Sequence, residues 1–104
     1  MKKTLSIAAL VALLVAAVPA SFGQAAADNY KTKCAMCHGA DGKGNTPMGP
    51  KIGVRSFTSP VVAKETDAEW TTITKKGKNH MPGYEGKLTD QQIGDLVKFM
   101  RTLK

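Results

Sequence analysis

The stretch Cys34-Ala35-Met36-Cys37-His38 decides how the chain is to be read. Two thiols separated by two residues at the end of a helix can reach the two vinyl groups of one porphyrin, while the imidazole that follows falls beneath its iron. The same spacing also occurs in redox dithiols and in zinc sites. A redox dithiol belongs at the start of a helix in a strand-helix-strand unit, and neither the strands nor a helix beginning at Cys34 can be read here. Zinc would need a fourth ligand beyond Cys34, Cys37 and His38, which leaves only His80. Covalent haem attachment uses all three side chains at the spacing they have.

Upstream of this motif, residues from about Ala25 to Cys37 are good helix formers without proline or glycine, and Tyr30 and Cys34 fall four apart on one face. Gly39 is expected to end that helix. Further upstream, Lys2 and Lys3 precede an apolar run from Leu5 to Val18 that only Ser6 interrupts, the layout of an export signal. As a helix the run would reach about 21 Å, short of the roughly 30 Å of hydrocarbon a spanning segment must cross. We expect residues 1–20 to be a signal peptide cleaved after Ala20, although small residues mark possible sites as late as Ala27. Residues 21–104 then form one domain, so small that its own apolar core is marginal and needs an addition. The precursor carries a net charge of +7, or +5 without Lys2 and Lys3. Its lysines are scattered, so nucleic acid is not an expected ligand.

Downstream, Gly39, Gly42, Gly44, Gly49 and Gly53 alternate with Pro47, Pro50 and Pro60, too many breakers for regular structure. A loop of this length needs something to order it, and a bound cofactor is one such thing. Thr66 with Asp67 and Glu69 marks a capping box for a helix running to about Lys76 before Gly77, with Trp70 and Ile73 on its inner face. Thr89 and Gln92 form a second box, and Ile93, Leu96, Val97, Met100 and Leu103 recur at helical spacing after it. Gly94 inside that helix costs about 1 kcal/mol against alanine, which raises the expectation of a close contact there. The fold class is all-α, with three main helices joined by glycine-rich loops.

The C-A-M-C-H run, a Gly-Pro-Lys-Ile segment at 49–52, a His-Met-Pro-Gly-Tyr segment at 80–84 and an amphipathic final helix follow one another as in class I c-type cytochromes, which this chain resembles over nearly all of residues 21–104. The resemblance implies a small haem-wrapping cytochrome c fold and one covalent haem c whose iron has His38 and Met81 as axial ligands. Among the alternatives for the second ligand, Met36 is pinned between the cysteines, Met100 lies on the apolar face of the last helix, and Met48 comes only ten residues after His38. His80, beside Met81, would give a bis-imidazole iron instead. Pro50 resembles the family proline whose carbonyl accepts the other N–H of the ligating imidazole. The resemblance implies Ile52 over the haem face and Tyr30 in the haem surroundings, with Tyr30 and Phe99 meeting beside Leu96 where the first and last helices cross and Ala26 as the small residue that lets them approach. Trp70 and Arg55 carry donors suited to haem propionates.

What the resemblance implies for function is a monomeric, non-enzymatic carrier that moves single electrons between redox proteins in the periplasm. An iron with nitrogen on one side and thioether sulfur on the other has no open position, and the soft sulfur raises its potential, so a positive midpoint is expected. Lys33, Lys43, Lys75, Lys76, Lys78 and Lys87 lie in segments near the haem-bearing ones and would steer acidic partners. Two other readings remain, a cytochrome subunit or docking module of a larger redox enzyme and a haem-based sensor in which a ligand displaces Met81.

Overall fold

Thr89 opens the last helix by accepting a hydrogen bond from the Gln92 amide, and the Gln92 side chain accepts one from the Thr89 amide in return. This reciprocal box satisfies two of the free donors at the helix start. In the computed structural model, which describes residues 21–104, the helices are α1 (Ser21–Lys33), α2 (Ala35–His38), α3 (Gly49–Ile52), α4 (Pro60–Lys64), α5 (Asp67–Lys76) and α6 (Asp90–Thr102). The expected leader, residues 1–20, lies outside the described residues. Two isolated bridges are the extent of the β pairing among the described residues, in keeping with an all-α chain whose three longer helices are α1, α5 and α6.

The apolar face of α6 makes the core. Ile93, Leu96, Val97 and Met100 are all buried, and Tyr30 of α1, Trp70 of α5, Val62 of α4 and Leu88 pack against them. Tyr30 meets Phe99 with ring centroids 5.4 Å apart and planes tilted by 52°, as expected for crossing first and last helices. Ala26 is only 3% exposed, so a small residue does lie in the packed face of α1. Leu96 is 1% exposed, and Leu96→Ala is expected to cost about 3 kcal/mol. A shift of the denaturant midpoint at unchanged slope would report it; a loss below about 1 kcal/mol would mean that the α1–α6 crossing is not the core.

Arg101 ties the end of α6 to the start of α5. Its guanidinium lies 3.7 Å from the centroid of the Trp70 ring, donates to Asp67 Oδ1 at 2.9 Å and to the Ala63 carbonyl at 3.1 Å, and also reaches the Glu65 carbonyl. The stacking and the carbonyl contacts together fix Trp70 in its orientation.

Several local expectations are corrected. The first helix does not run unbroken to Cys37: Cys34, at φ −120°, separates α1 from α2. The Tyr84 hydroxyl donates to the Lys33 carbonyl at 3.0 Å, the very group that the Cys37 amide would bond in a continuous helix, and that amide turns to the Cys34 carbonyl instead. The glycine-rich segment is not wholly irregular, because Pro50 and Pro60 sit in the first turns of α3 and α4, where a missing N–H and a fixed φ favour helix. At Thr66 only half of the box forms: its hydroxyl accepts from the Glu69 amide. No close contact explains Gly94, where an added Cβ would meet nothing within 4 Å.

Candidate functional site

A cavity of about 540 Å³ opens where α2, the segment after α3, α5 and the loop before α6 converge. Cys34, Cys37 and His38 line it from one side of the sequence and Met81 from the other, with Ile52, Trp70, Ile73 and Tyr84 among the apolar walls. The volume and the apolar lining are those of a site for a sizeable planar cofactor.

The motif's turn is built by hydrogen bonds from the following loop. Gly44 donates its amide to the His38 carbonyl at 2.7 Å, and the Thr46 hydroxyl donates to the Cys37 carbonyl at 2.8 Å while accepting from the Gly49 amide at 2.8 Å. The Tyr30 hydroxyl donates to the Gly39 carbonyl. Together these contacts satisfy the Cys37, His38 and Gly39 carbonyls at the end of α2 and just beyond it. His38 stacks on Phe57 with centroids 4.8 Å apart and planes 25° from parallel. Phe57 is itself seated on Gly42, where a Cβ would come within 2.5 Å of the ring.

Burial holds the His38 pKa below the usual histidine range, so the imidazole is neutral at pH 7 and keeps a lone pair for a metal. Its Nδ1 is buried without a hydrogen-bond partner. A buried polar atom left so costs about 1–3 kcal/mol, the mark of a side chain kept for something other than folding. Burial also pushes the Cys34 thiol up to about 11, whereas a redox dithiol works through a thiol of depressed pKa. Among the described residues no three His, Cys, Asp or Glu side chains gather as a metal site. Two free thiols, a neutral imidazole and a thioether around one apolar cavity do fit a covalently held haem.

Met81 ends a tight turn. The Lys78 amide donates to the Met81 carbonyl at 3.1 Å and the Met81 amide to the Lys78 carbonyl at 2.9 Å, with Asn79 at φ 54° between them. Asparagine tolerates that left-handed conformation better than most residues. His80 also borders the cavity but is exposed. Of the other methionines, Met48 is 43% exposed and does not line the cavity, Met36 is 76% exposed at its edge, and Met100 reaches it from the core at 7% exposed.

Three expectations about the surroundings change, and a fourth is qualified by a competing partner. The Pro50 carbonyl does not accept from His38, whose Nδ1 has no hydrogen-bond partner; Pro50 is exposed in the first turn of α3 and does not line the cavity. Tyr30 does not line the cavity either; it is a core residue that braces the Gly39 turn. Trp70 does line it, but its indole N–H donates to the Val62 carbonyl at 3.2 Å and is not available to a propionate. Arg55 lines it with its guanidinium on Glu65 at 2.9 Å, so a propionate would have to compete for it. Ile52 lines the cavity.

The lysines also divide. Lys75 pairs with Asp90 and Lys76 with Glu85, whereas Lys33 and Lys78 border the cavity. Lys87 lies 6.0 Å from the Tyr84 ring centroid, and Lys43 is not a lining residue. Phe57 has no role legible in the sequence, and Tyr84 is marked there only as part of the 80–84 segment. Their roles depend on a ring and a carbonyl far along the chain, for which no local signal exists.

Comparison with known proteins agrees with this geometry. Residues 22–100 match the family model described as cytochrome C oxidase, cbb3-type, subunit III. The chain is 33% identical over 103 residues to cytochrome c6 of Thermosynechococcus vestitus, covering 95% of this chain and 89% of that one. It is 34% identical over 87 residues to the cytochrome c subunit of a quinone alcohol dehydrogenase from Gluconacetobacter polyoxogenes, covering 73% of this chain but only 18% of that longer protein. The solved structure of the KustC0563 c-type cytochrome superposes with a TM-score of 0.70 at 30% identity, over 76% of this chain and 96% of that one.

Proposed function

The chain belongs to the class I c-type cytochromes, whose cofactor is covalent haem c, and on that premise we propose that it shuttles single electrons between redox proteins outside the cytoplasm. The observation that carries this reading is the convergence of Cys34, Cys37, His38 and Met81 on one apolar cavity. A haem bound there would supply a one-electron iron couple, with Cys34 and Cys37 as its tethers and His38 and Met81 as the side chains that would hold the iron, a donor set suited to electron transfer.

The chain's own residues set the conditions. Cys34 and Cys37 are the tethers, and His38 offers a neutral imidazole because burial disfavours its cation. The turn at 78–81 presents the Met81 thioether. Ile52, Val62 and Ile73 keep water from the cavity wall, and so apolar a wall disfavours an added positive charge, which favours a positive midpoint potential. Among the described residues no helix is long and apolar enough to cross a membrane. The burial of Ala26 supports cleavage after Ala20, since cutting after Ala27 would remove a residue of the packed α1 face. We propose that the chain works as a monomer in the periplasm.

Lys33 and Lys78, at the cavity rim, favour an acidic partner. The second-order rate of electron exchange with an acidic redox protein should fall at least about tenfold between about 0.01 M and about 1 M salt, as the screening length shrinks from about 30 to about 3 Å. A flat profile would remove the docking surface. The second reading, a subunit of a larger redox enzyme, is favoured by the alcohol dehydrogenase and oxidase-subunit matches. Stable co-elution with a partner from native extracts would select it; elution at the mass of one chain would select the free carrier.

A further inference from the structure

The loop that carries Met81 is seated backbone against backbone on the end of α5, and two glycines make the seat. At Gly83 an added Cβ would come within 2.6 Å of the Lys75 carbonyl oxygen and 2.8 Å of that of Lys76. At Gly77 it would come within 2.6 Å of the Met81 carbonyl oxygen and 2.8 Å of the Gly83 nitrogen. Each glycine is thus blocked by the other's segment. Immediately beyond, the Tyr84 amide donates to the Thr74 carbonyl at 3.0 Å and the Glu85 amide to the Lys75 carbonyl at 3.1 Å. These are carbonyls that the last turn of a helix leaves without internal partners. The Tyr84 hydroxyl then reaches the Lys33 carbonyl, one residue before the first cysteine.

We infer that Gly77 and Gly83 are positioning residues for the Met81 thioether: they let the loop lie directly on the α5 terminus, so that the sulfur's place is set by that helix and not by the loop's own stiffness. The inference rests on Met81 being the ligand. The turn itself supplies only two hydrogen bonds, between Lys78 and Met81, whereas the seat ties the chain on both sides of Pro82 to α5. A side chain at position 83 would have to lift the loop, because what it meets is backbone that cannot rotate away. Gly77, at φ 79°, is strained for any other residue in any case. Gly83 is not at positive φ, so Gly83→Ala tests the contact alone.

Gly83→Ala is expected to keep its covalent haem and its helical circular dichroism but lose thioether ligation. The iron–sulfur charge-transfer band of the ferric protein should weaken or vanish, and carbon monoxide should occupy the ferrous iron at least about tenfold more readily than in the wild type. Gly94→Ala, where a Cβ meets nothing within 4 Å, should leave both readouts unchanged. A Gly83→Ala protein with the wild-type band and wild-type carbon monoxide response overturns the inference. Amide exchange in the wild-type holoprotein covers the case in which the variant does not fold. Tyr84 and Glu85 should exchange as slowly as the amides in the body of α5, and exchange at the rate of exposed loop amides would overturn the seat. A wild-type protein without the band contradicts Met81 as ligand, a separate failure.

Discussion

Replacing Cys34 and Cys37 together with alanine is expected to abolish covalent haem capture and leave residues 21–104 largely unfolded. The cavity they border has a volume of about 540 Å³ and opens to solvent, so without the cofactor water would wet the apolar walls of Ile52, Ile73 and Trp70, which is unfavourable. The core of α6 against α1 is too small to offset this. Acid–acetone extraction should take the colour from the variant and leave it with the wild type, and the variant's far-ultraviolet circular dichroism should lose most of its helical signal. A variant that keeps both its colour and its helices would mean that the thiols are not the tethers.

Met81→Ala should act on the iron and spare the fold. The turn at 78–81 is closed by backbone hydrogen bonds that do not involve the side chain, so the loop survives while a coordination position opens. The midpoint potential should fall markedly, because the soft thioether that favours ferrous iron is gone, and carbon monoxide should bind rapidly to the reduced protein. Met48→Ala should do neither, since Met48 is 43% exposed and does not border the cavity. Potentiometric titration with and without carbon monoxide separates the two variants, and the opposite pattern would move the ligand to Met48. Should both variants behave as wild type, the exposed His80 beside the cavity becomes the ligand to test.

The features legible in the sequence were those decided within one turn of chain. Thr66, Gly77 and Thr89 fixed the limits of α5 and the start of α6 because a cap is a contact between residues three or four apart. The periodic Ile93, Leu96, Val97 and Met100 marked the core for the same reason. The break at Cys34 was not legible: it depends on a hydroxyl 51 residues away at Tyr84. Pro50 and Pro60 read as breakers in the sequence because proline's effect reverses between the first turn of a helix and its interior, and only the fold says which applies. In the site, Cys34, Cys37, His38, Ile52, Trp70 and Met81 do converge. Tyr30 and Pro50 stand outside the cavity and the Trp70 indole donates to the Val62 carbonyl, because such contacts are set by how whole segments pack and no residue spacing encodes them. Phe57 and Tyr84 act through contacts with His38 and Lys33 that no local spacing encodes.

The most direct measurement is the intact mass of the purified, exported protein under denaturing conditions. Two thioether links at Cys34 and Cys37 require the mass of the cleaved polypeptide plus that of one tetrapyrrole with its iron, inseparable by acid or organic solvent. A mass equal to the polypeptide alone would contradict the covalent haem and everything built on it.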